Sequence, residues 1–419
     1  MTYTFTDCIG FGGAFALGMT QAGFELQAKR EIMKFGVQTC EGNRHILGYK
    51  WDAQVAKMSR RPDWDLVKTD VVTGNPPCSG FSTMTSKHLR GMDAAVNDCM
   101  WAFASYVART APTIAAFESV QQAHKMGRDL MLRLRDYVEE ETGKKYHLTH
   151  LYHNALDHGG PANRPRYFWV ISQVPFGAEI PEPDMVPTFR EVAGDLVGLH
   201  ETWEAQPYRA PESWWSSRRR SQDGLVDGFQ GRKMHAWTRV QDMLDATDGW
   251  WPQGWKQEQV MKAIYERDGK LPGVWEPALD RLLAADFYMG PNQVMRWKED
   301  GICRVITGAA LEATLHPTEN RFLMHREAAR IQGFTDDWRL YPVRDVKNLN
   351  RTYGKGIPVD AGRWLGYWIK QALDGNPGTM RGIPQGDRET LMRADRGFVR
   401  AMDRGARRHV FWSSERIGV

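Results

Sequence analysis

The chain has 419 residues, 42% hydrophobic and 25% charged, with 55 Lys and Arg against 51 Asp and Glu. That length predicts two domains, one large and one smaller, and the net charge of +4 is too mild to establish a nucleic-acid partner by itself. Five scattered cysteines without a CxxC pair argue against a disulfide framework or a zinc site and fit a reducing cytoplasm; with no run of about 18 apolar residues and no basic leader before Asp7, neither a membrane span nor a signal peptide is expected.

Tyr3-Thr4-Phe5-Thr6 reads as a strand. It enters the turn Asp7-Cys8-Ile9-Gly10-Phe11-Gly12-Gly13, followed by a helix through Ala22. The glycines permit a tight turn against a ligand, and the helix start offers free N–H groups. A second strand, Phe24–Ala28, leads to Glu31, placed to hold ribose hydroxyls; an isolated Glu there would read as plain surface. Leu47–Trp51 suggests a third strand, with Asp52 near its end and in reach of an adenine amino group.

Asp70-Val71-Val72-Thr73 is a short β-branched run that reads as a buried strand. It opens into Gly74-Asn75-Pro76-Pro77-Cys78-Ser79-Gly80-Phe81-Ser82. Two prolines stop the strand, and small residues flank the thiol. Open α/β sheets place reactive groups on such strand-end loops. The competing reading is an inert cysteine in a turn, but inert cysteines usually sit in apolar packing. Helices are expected over Asp98–Ala111 and Gly127–Glu141, and strands over Ile114–Phe117, Tyr146–Tyr152 and Tyr167–Ile171. This alternation predicts an α/β fold with a doubly wound, mostly parallel sheet.

Taken in order, Asp7–Gly13, Gly74–Cys78, Phe117-Glu118-Ser119-Val120 and Arg164-Pro165-Arg166 resemble blocks of the DNA cytosine-5 methyltransferases. Arg321–Phe334 is similar to the ninth block of that family, and Tyr353–Pro358 to the tenth. The resemblance implies a Rossmann-like methyltransferase fold with a smaller target-recognition domain. It also implies an S-adenosylmethionine-type cofactor and a cytosine flipped out of double-stranded DNA. Asp7, Ile9, Gly10, Phe11, Gly12, Gly13, Asn75 and Pro76 would line the cofactor site with Glu31 and Asp52. There are departures: Ser119 replaces an Asn, Ala162 a Gln, and Lys355 the Asn of a Gly-Asn pair.

In that setting Cys78 would add as thiolate to cytosine carbon 6, making carbon 5 nucleophilic. Glu118 would protonate or hydrogen-bond ring nitrogen 3, for which a raised pKa suits it. Arg164 would hold the base carbonyl and orient nearby carboxylates, while Arg166 supports the loop or a phosphate. Lys355 has three readings: it points to solvent or a protein carboxylate, it pairs with the cofactor's amino-acid carboxylate, or it meets a carboxylate carried on the sulfonium, as in carboxy-S-adenosylmethionine. The last would give 5-carboxymethylcytosine in place of 5-methylcytosine.

The domains expected are a catalytic and cofactor-binding domain over 1–172, a target-recognition domain over 173–302, a return to the catalytic domain over 303–374 and a basic tail over 375–419. Arg218, Arg219 and Arg220 suit phosphates, though a solvated charged turn is the plainer reading; Ser82 is a further DNA contact. The tail reads equally as a DNA-contacting arm or a partly ordered segment. Helices are expected near 256–267, 276–285 and Val359–Leu373. No metal is expected, and a cytoplasmic monomer of a bacterial or phage-infected cell is the expected setting. Two other functions share these blocks: a catalytically weak DNA-binding homologue and a tRNA cytosine methyltransferase.

Overall fold

In the structure, a computed structural model, the described residues are 2–81, 91–120, 123, 127–179, 186–198, 240–289, 293–306, 313–339, 352–378 and 411–413. They cluster into two compact units: Met1–Val186 with Gln332–Phe334 and Lys355–Val419, and Pro187–Ile331 with Thr335–Gly354.

The first unit begins with β1 (Thr4–Cys8), α1 (Ala14–Gln21), β2 (Glu25–Glu31), α2 (Lys34–Gly42), β3 (Asp52–Val55) and β4 (Val71–Gly74). It continues through α3 (Asp98–Thr110), β5 (Ile114–Ser119), α4 (Arg128–Thr142), β6 (His147–His153) and β7 (Arg166–Ser172). After the second unit it closes with α5 (Val359–Leu373) and a short strand, β8 (Phe411–Ser413). The sheet order is β8-β6-β7-β5-β4-β1-β2-β3. The run from β3 to β5 is parallel, and β7, β6 and β8 add antiparallel pairings. The parallel strands put all their carboxyl ends on one edge, where a doubly wound sheet binds ligands.

Alternation along β7 sends its side chains to two different layers. Trp169 and Ile171 enter a core with Phe103, Tyr106, Leu130 and Leu134 of α3 and α4. Phe168 instead contacts Phe15 of α1 and Trp364 of α5. Helices therefore cover both faces, and the central strands β4 and β5 are buried along their whole length, as a buried parallel sheet requires.

The third strand corrects the sequence reading. Arg44–Leu47 is a helical turn, and Trp51 is buried by packing, with its Nε1 donating to the Gly48 carbonyl. Asp52 thus begins β3, level with Ala28, three residues short of the sheet's ligand-binding edge. Its carboxylate pairs with Arg30 at 2.8 Å.

The second unit has its own core, including Trp251, Val260, Ile264, Trp275, Leu315 and Phe322. Helices Gln257–Asp268 and Leu279–Ala284 fall close to the predicted stretches. The ninth block belongs to this unit through Ile331, and its last residues, Gln332–Phe334, cluster with the first, whereas the sequence reading returned the chain to the catalytic domain at 303. Arg321 explains why: its guanidinium clasps Glu327 in two bonds of 2.9 and 2.7 Å. Arg326 donates to the Thr335 and Trp338 carbonyls at 2.8 and 2.7 Å. Buried bidentate pairs of this kind fix a local fold. Among the described residues, no helix is long and apolar enough to cross a membrane.

Candidate active site

The turn after β1 holds unusual backbone. Ile9 (φ 55°) and Phe11 (φ 48°) lie in the left-handed region, as does Gly13 (φ 84°). A β-branched residue there is strained, and such strain concentrates at ligand sites. Asp7 is buried in β1, and a Cβ on Gly10 would overlap its carboxylate. Gly10→Ala should therefore displace Asp7 and destabilise the fold by about 1–3 kcal/mol. A urea melt checks this; an unchanged midpoint would show that the turn adapts without cost.

Glu31 ends β2 at the same edge. One carboxylate oxygen, Oε2, accepts from the Ile32 amide at 3.2 Å. The other, Oε1, is buried with the Lys29 ammonium 3.2 Å away and has no well-aligned hydrogen bond among the described residues. A Cβ on Gly36 would come within 2.9 Å of that oxygen and 2.8 Å of the Phe11 carbonyl. A spare buried acceptor beside a glycine-floored turn fits the ribose end of a nucleoside cofactor. The sequence reading missed Lys29, which lies in the Asp7–Glu31 cluster. The Lys-x-Glu spacing was its only signal, since alternate strand residues share a face.

The thiol and its neighbours come together at the adjacent strand ends. Gly74 of β4 pairs with Phe117 of β5, so the Cys78 loop and Glu118 leave the sheet side by side. Asn75 anchors the loop, its side-chain amide donating to the Lys355 carbonyl at 3.2 Å. Cys78 is partly exposed, the other four cysteines are buried, and all five are free thiols. Burial and the Glu118 carboxylate push the Cys78 thiol up to about 12, against an opposing pull from Arg166. Burial likewise raises Glu118, while Arg166 and Arg164 pull it back.

Arg166 takes the place beside Glu118 that the sequence reading gave to Arg164. Because β7 runs antiparallel to β5, with Tyr167 paired to Ser119, Arg166 stands just past the end of β5. Its Nε contacts Glu118 Oε1 at 2.5 Å. Arg164 is fully buried and donates to the Gly356 carbonyl at 2.7 Å. Its backbone N–H donates to Asn154 Oδ1 at 3.0 Å. Burial, reinforced by Arg166, holds its pKa well below the usual arginine range.

Ser119 is fully buried, and its hydroxyl has no hydrogen-bond partner among the described residues. Such a group carries a desolvation cost with nothing to offset it. Ser119→Ala should be neutral or stabilise by up to about 1 kcal/mol, read from denaturant midpoints. A loss of more than that would reveal a partner the hydroxyl serves. Ser82, Arg218, Arg219 and Arg220 lie outside the described residues.

Residues 3–371 match the C-5 cytosine-specific DNA methylase family. The chain is 23% identical over 403 residues to Type II methyltransferase M.PspPI of Psychrobacter sp., covering 90% of this chain and 81% of that one. It is 25% identical over 407 residues to Type II methyltransferase M.XorII of Xanthomonas oryzae pv. oryzae, covering 88% and 85%. The fold is similar to that of a candidate DNA modification methyltransferase encoded within an E. coli prophage, with a TM-score of 0.53 at 17% identity, covering 89% of this chain and all of that one. With the matched region spanning nearly its whole length, the chain belongs to the C-5 cytosine-specific DNA methylases, the DNA cytosine-5 methyltransferases.

Proposed function

We propose that the protein converts cytosine to 5-methylcytosine in double-stranded DNA through a covalent bond from Cys78 to carbon 6 of a flipped base. The observation that carries this reading is the convergence of Cys78, Glu118 and Arg166 on neighbouring strand ends, with Glu118 held by Arg166 at 2.5 Å. Cys78 gives up its proton to solvent as its sulfur adds to carbon 6. Glu118, kept protonatable by burial, donates to ring nitrogen 3, where negative charge develops. Arg166 fixes that carboxyl. Arg164 holds the wall of the base pocket through Gly356 and is the proposed partner of the base carbonyl. S-adenosylmethionine, when bound, supplies an electrophilic methyl group. Asp7, Ile9, Gly10, Phe11, Gly12, Gly13 and Glu31 form its proposed cradle, with Asn75 and Pro76 bordering it. Loss of the carbon 5 proton to solvent, return of the nitrogen 3 proton to Glu118 and departure of Cys78 complete the exchange, leaving 5-methylcytosine and the demethylated cofactor. The second unit is the proposed target-recognition domain.

A second reading concerns the group transferred. Lys355 is exposed, and its ammonium stands 5.9 Å from the centroid of the Phe11 ring in the cofactor turn. That position favours contact with a carboxylate on the cofactor, and carboxy-S-adenosylmethionine would then yield 5-carboxymethylcytosine. The mass of the modified nucleoside, with both cofactors offered in competition, tests both readings. A methyl adduct alone supports the first and sinks the second. Duplex DNA and tRNA offered side by side test the substrate; modification of tRNA alone would contradict the first reading.

A further inference from the structure

Lysines are rarely buried completely, yet Lys29 on β2 is, together with both of its acidic neighbours. Parallel pairing sets it opposite Asp7 of β1, and it lies two residues before Glu31. Its ammonium stands 2.7 Å from Asp7 Oδ2 and 3.2 Å from Glu31 Oε1. One cation thus serves two buried carboxylates, leaving a single net negative charge beneath the proposed cofactor cradle.

Stability does not explain this arrangement. Each buried ion costs several kcal/mol in lost hydration, and apolar replacements of buried ion groups are often neutral or better. The geometry points to a task at the cofactor edge. Without the ammonium, burial and mutual repulsion would drive at least one carboxylate to take up a proton. A protonated Glu31 gives up acceptor capacity on the side that faces the cradle.

We propose that Lys29 is a positioning residue for cofactor binding: it holds Glu31 ionised and its carboxylate fixed, so that the unused acceptor of Oε1 meets a ribose hydroxyl. This rests on the reading of Glu31 as the ribose ligand. The titratable groups facing Glu31 are Asp7 and Cys8 from β1, Lys29 from β2, Cys40 from α2 and Cys99 from α3. Burial keeps the three thiols neutral, with Cys40 and Cys99 pushed up to about 12. The carboxylates and Lys29 therefore set the local charge. Lys29 stays charged: burial opposes it, but the Asp7 and Glu31 carboxylates more than compensate.

The test is calorimetric binding of 5′-methylthioadenosine, which carries adenine and ribose without amino-acid charges, to the full chain. Wild-type affinity should be flat between about pH 6.5 and 9. Lys29→Met should bind about tenfold more weakly near neutrality and recover as pH rises and Glu31 ionises. Glu31→Gln should bind weakly at every pH, and Lys29→Met/Glu31→Gln no more weakly than Glu31→Gln alone. Wild-type-like binding by Lys29→Met, or a loss that ignores pH, overturns the proposal while Glu31→Gln remains weak. Wild-type-like binding by Glu31→Gln instead overturns the ribose reading, and this role with it. Should Lys29→Met fail to fold, wild type still decides, since an affinity that climbs tenfold across that range would show Glu31 is not held ionised.

Discussion

Replacing Cys78 with alanine should lower transfer to duplex DNA by about 10⁴-fold or more while leaving the fold intact. Among the described residues, the thiol is the group at this strand end suited to form the bond to carbon 6, and without that bond carbon 5 stays part of an aromatic ring. Stability should barely change, because Cys78 is partly exposed and only borders the core. DNA binding should persist, since the contacts that extrude a base are not made by the sulfur. Steady-state transfer and filter binding on the same preparation separate the two effects. Residual transfer within tenfold of wild type would rule out covalent catalysis through this residue. The wild-type thiol carries a second signature. With its pKa pushed up to about 12, alkylation by iodoacetamide should accelerate about tenfold per pH unit between pH 7 and 10.

Glu118→Gln should cost about 10²–10⁴-fold in turnover, the usual range for a positioned general acid. The amide keeps the shape and one donor but cannot deliver a proton to ring nitrogen 3. Arg166→Met makes a sharper test. Arg166 lowers the Glu118 pKa, which burial otherwise raises. Removing the guanidinium therefore moves that pKa further up. The acid is active when protonated, so the rate falls as pH rises through its pKa. In Arg166→Met this falling limb should shift to higher pH, alongside a lower maximum from the loss of orientation. A limb that stays in place would dissociate Glu118 from the proton transfer.

Much of this was legible because parallel strands announce themselves. Val71-Val72-Thr73 and Ile114–Phe117 are apolar on both faces, and Val359–Leu373 keeps helical spacing from end to end. What stayed hidden depends on pairing between distant segments. Leu47–Trp51 has the composition of a strand, but Trp51 is buried under the Arg44 guanidinium, 3.9 Å from its ring, and the strand starts only at Asp52. The division of labour between Arg164 and Arg166 follows from antiparallel register between β5 and β7, which no local pattern reveals. Lys29 was passed over because a lysine in sequence reads as surface, and Asp7 across the sheet, with Glu31 on its own strand, makes burial tolerable. The ninth block was recognisable as a motif, yet its packing within the second unit rests on Arg321 and Glu327 closing a local clasp.

The proposed covalent step can be tested directly. In a duplex carrying 5-fluorocytosine at the target, fluorine cannot leave carbon 5 as a proton does, so the enzyme should remain bonded to the base after transfer. Proteolysis and mass spectrometry of that complex should place the nucleotide adduct on the peptide containing Cys78, with the transferred group retained on the base. An adduct on any other residue, or modified DNA released without a trapped complex, would contradict the account.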